Sequence, residues 1–416
     1  MKISVYNLGC KVNQYESDSL IRELSIRGFE VTDELEYADY YVLNTCAVTN
    51  EAERKSRQAV RRCLNFNPNA RIIVCGCASE NDKNQFLSKN NVTYVSGVAG
   101  KYLIPDILDV DGESEVRELP KEYEDMYSPL SMRTRSYVKV QDGCNNFCSY
   151  CLIPYLRGRS RSRRIESVVA ECERVASSGE IVLTGINLSA YGLDVASSLT
   201  ELIGSLGNID ARIRLGSLEV NVIDEEFLSA LKGLKHFCPQ FHLSLQSGSD
   251  SVLKKMNRHY TTDEFYEKVR LIRETFEDAA ITTDVICGFP TESEEEFRES
   301  LAFAEKVGFA DMHVFAYSSR KGTKASRLEQ LTNEEKHLRV ERMERVKKKS
   351  KGNYLVSKIG SFVSVLVEES DGDFSEGYSE EYARVRVQGY IKQGEIVKVY
   401  VTGALDNEKL IGEIRA

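Results

Sequence analysis

Residues 137–151 read YVKVQDGCNNFCSYC, and the predicted architecture follows from this stretch. A β-prone run leads into three cysteines within eight positions, at Cys144, Cys148 and Cys151. Thiolates this close together can meet at one metal centre, because thiolate is a soft ligand that suits zinc, copper(I) and iron–sulfur clusters. Structural zinc usually takes four ligands, and no fourth Cys or His lies nearby in the sequence. The spacing therefore favours a [4Fe–4S] cluster that keeps one iron open.

Strand-like segments recur after this motif and alternate with helical patterns. Because six strands with intervening helices fall within about two hundred residues, they predict a partial or complete (β/α) barrel. In such barrels the functional residues lie at the carboxyl ends of the strands. The five further strand-like segments are 181–183, 213–215, 241–245, 282–286 and 312–315.

The motif Cys144-x₃-Cys148-x₂-Cys151 resembles the signature of the radical S-adenosylmethionine (SAM) superfamily, with an aromatic residue before the third cysteine. The resemblance implies that the open iron binds SAM and that electron transfer from the cluster cleaves its sulfonium to a 5′-deoxyadenosyl radical. It also implies SAM contacts at the strand ends, although an ordinary turn stays the alternative there. The implied SAM-binding residues are Tyr150, Gly185, Asn187, Glu219, Gln246 and Ser247.

The amino-terminal segment, residues 1–112, shows alternating strand and helix patterns that predict an α/β domain with a parallel sheet. Cysteines follow three of its strands: Cys10, Cys46, and either Cys75 or Cys77. Open α/β sheets bind ligands at the carboxyl ends of their strands, so these thiols together predict a second three-thiolate cluster. Taken singly, a buried cysteine is more often part of inert core packing. The helix after Asn50 is predicted to begin with a capping box that includes Glu53.

The two cysteine sets together resemble the methylthiotransferases across almost the whole chain. Gly9-Cys10-x-x-Asn13, Asn44-Thr45-Cys46 and Gly76-Cys77 carry the amino-terminal part of this resemblance. It selects Cys77 as the third ligand and leaves Cys75 as the alternative, although Ala-Ser-Glu follows Cys77 where the family commonly has Tyr-Ala-Gln. The resemblance implies two [4Fe–4S] clusters, consumption of SAM both as methyl donor and as radical source, an electron-donor protein such as a flavodoxin, and a sulfur source.

Segments 143–158, 182–187 and 315–323 most resemble the branch that acts on N6-threonylcarbamoyladenosine beside the tRNA anticodon. That branch inserts a methylthio group at C2 of the adenine. Two other substrates stay open within the family, N6-isopentenyladenosine of tRNA and a ribosomal protein. A zinc-stabilised RNA-binding protein without catalysis is the alternative of another class. Radical chemistry of this kind can proceed without a catalytic acid or base, and none is assigned.

The remaining segments predict a linker at 113–133, a radical SAM domain at 134–352 and a small all-β barrel at 353–416, which resembles the RNA-binding TRAM domain and its OB-like fold. One basic run follows the cysteine motif and another precedes the last domain, and each fits a solvated face as well as a phosphate contact. The acidity of the last domain argues against broad electrostatic RNA binding there. The basic runs comprise Arg157, Arg159, Arg161, Arg163, Arg164, Lys347, Lys348, Lys349 and Lys351.

Length and composition exclude several classes of fold and function. A chain of 416 residues exceeds one compact domain, and its net charge of −9 excludes a globally basic nucleic-acid coat. No apolar run approaches the length of a membrane span, so no membrane partner is expected. Eleven cysteines without an export signal indicate thiols or metal ligands in the cytoplasm rather than a disulfide framework.

Overall fold

The computed structural model of the chain describes residues 1–108, 116–126 and 134–415. These residues form an amino-terminal α/β unit, a central barrel-like unit and a carboxyl-terminal closed β-barrel, so the predicted fold class is confirmed. The predicted linker at 113–133 lies partly outside the described residues. Its described part, residues 116–126, forms no helix or strand.

The amino-terminal unit is a five-stranded parallel sheet in the order β2-β1-β3-β4-β5. Every residue of its central strand is buried, as expected for a parallel sheet that is covered on both faces. The strands are β1 (Lys2–Asn7), β2 (Glu30–Thr32), β3 (Tyr40–Thr45), β4 (Arg71–Gly76) and β5 (Val92–Val95). The helices are α1 (Lys11–Ile26), α2 (Asn50–Phe66), α3 (Cys77–Asn81) and α4 (Asn84–Leu87).

The predicted capping box at the start of α2 is wrong. Thr49 is the N-cap residue, and its side chain accepts a hydrogen bond from the backbone N–H of Ala52. Asn50 instead contacts the central unit, where its Nδ2 donates to the backbone oxygen of Ser319 at 3.0 Å. Glu53 accepts from Arg320 at 2.9 Å. The two residues are therefore used to join domains, which the sequence spacing does not reveal.

The central unit contains six parallel strands in two sheets, β10-β9-β6 and β11-β12-β13. A backbone hydrogen bond from Leu218 N–H to His242 O, at 2.8 Å, connects the two sheets into one curved wall. Within the described residues no ladder joins β6 to β13, so the structure is a partial barrel. It confirms the six predicted strands, except that the fourth ends at His242 rather than at residue 245.

The strands of this unit are β6 (Ser136–Lys139), β7 (Gln141–Asp142), β8 (Arg161–Ser162), β9 (Glu180–Thr184), β10 (Arg212–Leu215), β11 (Gln240–His242), β12 (Ala280–Cys287) and β13 (Asp311–Ala316). Its helices are α5 (Ile153–Leu156), α6 (Ile165–Val175), α7 (Leu199–Ser205), α8 (Glu225–Lys232), α9 (Asp250–Lys255), α10 (Thr262–Thr275) and α11 (Glu294–Val307). Strands β7 and β8 form a short antiparallel pair.

A long helix leads into the closed carboxyl-terminal barrel, whose strand order is β14-β15-β16-β18-β17. This helix, α12 (Asn333–Ser357), contains the basic segment 339–351 and runs across the predicted boundary at 352. The sequence pattern did not predict β15 or β18, because both are rich in polar residues and glycine. The strands are β14 (Phe362–Ser370), β15 (Phe374–Ser379), β16 (Arg384–Gln388), β17 (Ile396–Leu405) and β18 (Lys409–Glu413).

None of the helices in the described ranges combines the length and the hydrophobicity needed to cross a lipid bilayer.

Candidate functional site: two cysteine triads

The first triad lies in the loop that follows β7. We call Cys144, Cys148 and Cys151 the barrel triad. Gly143 begins the loop with a positive φ of 70°, and a Cβ there would lie 2.0 Å from the backbone oxygen of Arg159. Only glycine tolerates this conformation and this close approach. The loop then turns back on itself, since Cys151 N–H donates to Cys148 O at 3.0 Å. All three thiols are free and half-buried.

Two of the predicted SAM-contact residues lie directly beside this loop. The Nδ2 of Asn187 is 3.9 Å from the sulfur of Cys144. Glu219 accepts a hydrogen bond from Asn146 in the loop at 2.6 Å. Both residues follow strands of the partial barrel, so the strand ends and the cysteine loop meet at one place.

The sequence did not predict Arg258, which also reaches the barrel triad. Its Nη1 donates to the sulfur of Cys148 at 3.4 Å and forms an ion pair with Glu219 at 2.9 Å. The arginine follows α9 and its side chain is almost fully buried. No local motif marks it, because its role depends on the tertiary fold alone.

The other four predicted SAM contacts are less directly connected to the barrel triad. Tyr150 packs against an apolar cluster, and a Cβ on Gly185 would lie 2.9 Å from Oε1 of Gln141. Gln246 has a positive φ of 69°, which is uncommon outside glycine and often marks a functional site. The hydroxyl of Ser247 lies 3.1 Å from that of Ser300 in α11. Their contacts with SAM stay predictions.

The second triad lies at the carboxyl edge of the amino-terminal sheet. We call Cys10, Cys46 and Cys77 the sheet triad. Cys10 is the N-cap residue of α1, Cys46 follows β3, and Cys77 begins α3 directly after β4. Cys46 and Cys77 are buried, whereas Cys10 is exposed. Three parallel strands thus end in thiols at the same edge.

The alternative ligand Cys75 lies inside β4 and is fully buried. It packs in the apolar cluster that contains Ile3 and Val5, whereas Cys77 packs in the cluster on the other side that contains Val74. Side chains alternate between the two faces of a strand, and Cys77 begins the helix beyond it. Cys77 therefore lies at the carboxyl edge of the sheet, beyond the strand that contains Cys75, and its role as the third ligand stays a prediction.

Close backbone packing explains the glycines that precede two of these cysteines. A Cβ on Gly9 would lie 2.5 Å from Cγ of Asn13. Gly76 has a positive φ of 101°, and a Cβ there would lie 2.5 Å from the backbone oxygen of Thr45. Asn13 in turn donates to Asn44 at 2.9 Å and to the backbone of Thr45 at 3.1 Å. These contacts hold the three ends of the sheet triad together.

Arg157 connects the sheet triad to the central unit. It follows α5, a few residues after the barrel triad, and is fully buried. Its Nε donates to the sulfur of Cys77 at 3.4 Å, and its Nη1 lies 3.0 Å from both Glu16 and Asp142. Nη2 donates to Asn13 at 3.0 Å. One side chain thus links the two domains next to a predicted cluster ligand.

Two lysines add further positive charge around the carboxylate of Glu16. Lys101 pairs with Glu16, and Lys139 lies 3.1 Å from it. Burial alone would raise the pKa of Glu16, but the positive charges of Arg157, Lys101 and Lys139 hold it well below 4.5. A buried carboxylate surrounded by three cations stays ionised at neutral pH. We call these four residues the buried charge cluster.

Burial also raises the pKa of thiols in both triads. It raises the pKa of Cys46 to about 11 and that of Cys151 to about 12. It raises the pKa of Cys77 as well, although the neighbouring guanidinium of Arg157 opposes this effect. Metal centres bind thiolates, so taking up a cluster at either triad would release protons.

Among the described residues, one set of three candidate metal ligands has its donor atoms within 4.8 Å of one another: His242, Asp284 and His313. This set contains no cysteine, so it is separate from both triads.

The arginine run after the barrel triad does not form the RNA-facing or solvated surface that its density indicated. Arg157, Arg161 and Arg163 are at most 3% exposed. Arg163 pairs with Glu171, and Arg161 donates to the backbone oxygen of Arg157 at 2.7 Å. The run is largely internal because buried carboxylates and carbonyls satisfy it. Only Arg159 and Arg164 of the run are exposed.

Two family models match the chain. The uncharacterized protein family UPF0004 matches residues 2–97, and the Radical SAM superfamily matches residues 138–304. The first range contains the sheet triad and the second contains the barrel triad. The matches thus fall on the two units that the structure separates.

Curated relatives match over nearly the full length. The threonylcarbamoyladenosine tRNA methylthiotransferase MtaB of Chlamydia pneumoniae is 39% identical over 98% of this chain and 96% of its own length. The chain belongs to the MtaB family of methylthiotransferases. The MtaB of Aquifex aeolicus is 35% identical over 96% of this chain and 100% of its own length. A tRNA-2-methylthio-N(6)-dimethylallyladenosine synthase of Thermoanaerobacter sp. (strain X514) is 34% identical over 86% of this chain and 80% of its own length.

Solved structures show the fold of this MtaB-family chain at lower identity. The radical SAM methyltransferase TsrM of Kitasatospora setae, solved with cobalamin and a [4Fe-4S] cluster, has a TM-score of 0.58 and 15% identity, covering 78% of this chain and 74% of TsrM. The cobalamin-dependent SAM radical enzyme OxsB has a TM-score of 0.54 and 12% identity, covering 84% of this chain and 56% of OxsB. Both likenesses concern the fold alone.

Proposed function

We propose that the chain is a transferase that places a methylthio group on C2 of N6-threonylcarbamoyladenosine in tRNA. The near full-length match to the MtaB relatives carries this proposal. Both cysteine triads support it, because the reaction needs a radical source and a separate place for sulfur. In the overall change, the C2–H bond breaks and a C2–S bond forms.

We further propose that each triad holds one [4Fe–4S] cluster. The barrel cluster, with its open iron, would bind SAM and supply the 5′-deoxyadenosyl radical that takes the hydrogen from C2. Residues of the chain would bind SAM and orient it at this cluster. Asn187 and Glu219 would position SAM, and the other proposed binding residues are Tyr150, Gly185, Gln246 and Ser247.

The sheet triad would hold the sulfur that is methylated by a second SAM and then transferred. Arg157 donates to Cys77 and so opposes the negative charge that thiolate ligands bring to this buried place. Arg157 also pairs with Asp142 in the central unit, so it connects the domain of the sheet triad to the domain of the barrel triad. Electrons would come from a donor protein such as a flavodoxin, and sulfur from a separate source.

The proposed tRNA partner needs a surface next to the barrel triad. Phe147 in the triad loop packs edge-to-face with Tyr155, at 5.5 Å between ring centroids. Arg159 lies over the Phe147 ring at 4.6 Å, and Tyr155 is 54% exposed. Unstacked RNA bases stack on such aromatic and guanidinium planes. We propose this group and the carboxyl-terminal barrel as RNA contacts, and the cytoplasm as the place of action.

Nucleoside analysis tests the proposed function. tRNA from source cells with the gene intact, deleted, and restored with the wild type, Cys144→Ala or Cys172→Ala would be digested and examined by mass spectrometry. Cys172 is a buried cysteine of α6 outside both triads and serves as the matched control. We expect the methylthio derivative of N6-threonylcarbamoyladenosine to vanish on deletion and to return with the wild type and Cys172→Ala only.

Other outcomes would redirect the proposal. Loss of a methylthio derivative of a dimethylallyl-type adenosine would keep the chemistry and change the substrate. Loss of a methylthio group from a ribosomal protein, seen by peptide mass analysis, would remove tRNA from the proposal. Unchanged tRNA and unchanged ribosomal proteins, in cells without a redundant enzyme, would contradict the transferase function.

A further inference from the structure

A cavity of about 480 Å³ lies between the partial barrel and the carboxyl-terminal barrel. Residues of β10 to β13 form one wall, including Arg214, His242 and His313. Tyr378 and Tyr382 of the carboxyl-terminal barrel form another wall. Lys11 enters from the amino-terminal unit, so all three units contribute to this cavity.

Four of the five lysines and arginines that line the cavity already have a carboxylate partner. Arg214 pairs with Glu180 at 2.8 Å, and its other nitrogen donates to the backbone of the carboxyl-terminal barrel. The remaining three have carboxylate partners at 2.5 to 3.2 Å. These pairs are Lys351 with Asp311 and Glu408, Arg384 with Glu369 and Glu376, and Lys409 with Glu376.

Lys11 is the exception in this cavity. Its side chain is exposed to solvent, and it has no hydrogen bond or ion pair with any residue in the described parts of the chain. It directly follows Cys10, so a ligand held by Lys11 lies next to the sheet triad. Within the described residues, Lys11 is therefore the one cavity-lining cation without a paired carboxylate, although burial and the charges of Arg214 and Arg135 lower its pKa.

The two histidines of the cavity wall are already held by a carboxylate. Asp284 accepts from His313 at 3.1 Å and lies 3.3 Å from Nε2 of His242. The other ring nitrogen of His242 lies 3.0 Å from the hydroxyl of Thr282. Asp284 also attracts Lys11 electrostatically, so an anion that binds Lys11 lies near this carboxylate.

We propose that Lys11 binds the carboxylate of the threonyl group on the substrate nucleoside and thereby selects this nucleoside. The inference rests on the proposed function and adds a specificity-determining residue to it. The threonylcarbamoyl group ends in a carboxylate, whereas a dimethylallyl group is a hydrocarbon without charge. The atom to be modified and the N6 substituent belong to the same adenine ring, so a lysine beside the sheet triad is placed to meet that substituent.

The expected effect follows from one charge-assisted hydrogen bond. Such a bond is worth a factor of about 10 to 100 in binding, whereas a carboxamide of the same shape offers the lysine only a neutral oxygen acceptor, which binds it more weakly. Lys11 is therefore expected to discriminate between a carboxylate and a carboxamide at the end of the threonyl group. A role in folding alone would not produce this discrimination.

Equilibrium binding tests the proposal with two anticodon stem-loop RNAs. One RNA carries N6-threonylcarbamoyladenosine, and the other carries the same nucleoside with its carboxylate converted to a carboxamide. Fluorescence anisotropy with the anaerobically prepared wild type, Lys11→Met and Lys11→Arg gives the ratio of the two Kd values. Lys349→Met, an exposed lysine of α12 outside the cavity, is the matched control. Iron content is measured for each variant.

The wild type, Lys11→Arg and Lys349→Met are expected to prefer the carboxylate RNA about 10-fold or more, and Lys11→Met less than about 2-fold. An unchanged preference in Lys11→Met would overturn the proposal. Because binding is read without turnover, a variant that loads iron poorly still gives an answer. If the wild type neither prefers the carboxylate RNA nor modifies it, the proposed function fails; if it modifies that RNA but Lys11→Met keeps the preference, only this inference fails.

Discussion

The two cysteine triads are built in opposite ways. The barrel triad occupies one short loop, so local sequence spacing brings its thiols together. The sheet triad collects Cys10, Cys46 and Cys77 from three strand ends, and only the parallel sheet brings them to one edge. The first arrangement is encoded by a motif, whereas the second is encoded by topology and depends on distant contacts for its geometry.

Both triads nevertheless have one structural feature in common. A buried arginine donates to a thiol in each of them, Arg157 to Cys77 and Arg258 to Cys148, both at 3.4 Å. A guanidinium cannot lose its charge in a protein, so each triad has a permanent positive charge beside one of its thiols. The arginine of the sheet triad comes from the central unit, which makes this triad dependent on domain contact.

The largest expected effect is the loss of activity when a triad cysteine is replaced, and the activities lost should differ between the two triads. Cys148→Ala should abolish methylthio transfer and also SAM cleavage to 5′-deoxyadenosine, because the radical source is lost. Cys77→Ala should abolish methylthio transfer to the same extent but keep SAM cleavage. Mass analysis of small-molecule products and of the RNA in one reaction measures both activities.

Cys238→Ala serves as the control for this comparison, since Cys238 is buried outside both triads. It should retain both activities. If Cys77→Ala also lost 5′-deoxyadenosine formation while its barrel cluster stayed intact, the division of work between the triads would be wrong.

The next effect concerns the dependence of the sheet triad on the central unit. Arg157→Met leaves Glu16 and Asp142 buried without this cation, which should lower the free energy of unfolding by about 3 to 5 kcal/mol. Arg164→Met, at an exposed arginine in the same run, should change it by less than about 0.5 kcal/mol. Urea unfolding of the two variants and the wild type measures the difference. Equal costs would show that the internal position of Arg157 is unimportant.

A pH series should show how much stability the ionised Glu16 contributes within the buried charge cluster. The pKa of Glu16 is held well below its usual 4.5, so its ionised form contributes stability that is fully present above pH 4.5 and is lost as the pH falls through the lowered value. Glu16→Gln should therefore lower the melting temperature at pH 7, and the gap from the wild type should narrow in acid. Thermal unfolding followed by circular dichroism tests this. A gap that widens as the pH falls would contradict the assigned charge state.

The smallest effect tests whether ordinary structural contacts near the triads matter for chemistry. Thr49 caps α2 beside the sheet triad, and Thr261 caps α10 in the central unit. Replacing either by Ala should cost about 1 kcal/mol of stability and leave the iron content unchanged. Urea unfolding and iron analysis of both variants provide the comparison. Loss of iron in Thr49→Ala alone would show that the sheet triad is less firmly held than its contacts indicate.

Much of this architecture could be predicted from the sequence. The apolar strands predicted the parallel sheet and the six-stranded barrel, since buried strands have a clear local pattern. The amphipathic, glycine-containing strands β15 and β18 were missed, because their pattern is weaker. The sequence also indicated both triads, and the choice of Cys77 over Cys75 as the third ligand stays a prediction.

The partners of the triads were harder to predict. Arg157 looked like a member of a surface run, and its burial depends on Glu16 from another domain. Arg258 and Lys11 carry no motif of their own. Long-range pairing of this kind depends on which side chains the fold brings together, and a single sequence contains no direct signal for it.

The iron and sulfide content of anaerobically reconstituted protein tests the two-triad account most directly. The wild type should contain about eight iron and about eight sulfide per chain, and Cys77→Ala and Cys148→Ala about four of each, if each triad holds its own four-iron cluster as proposed. A wild type with only about four iron and an unchanged content in Cys77→Ala would contradict the account, as would about one zinc per chain without sulfide.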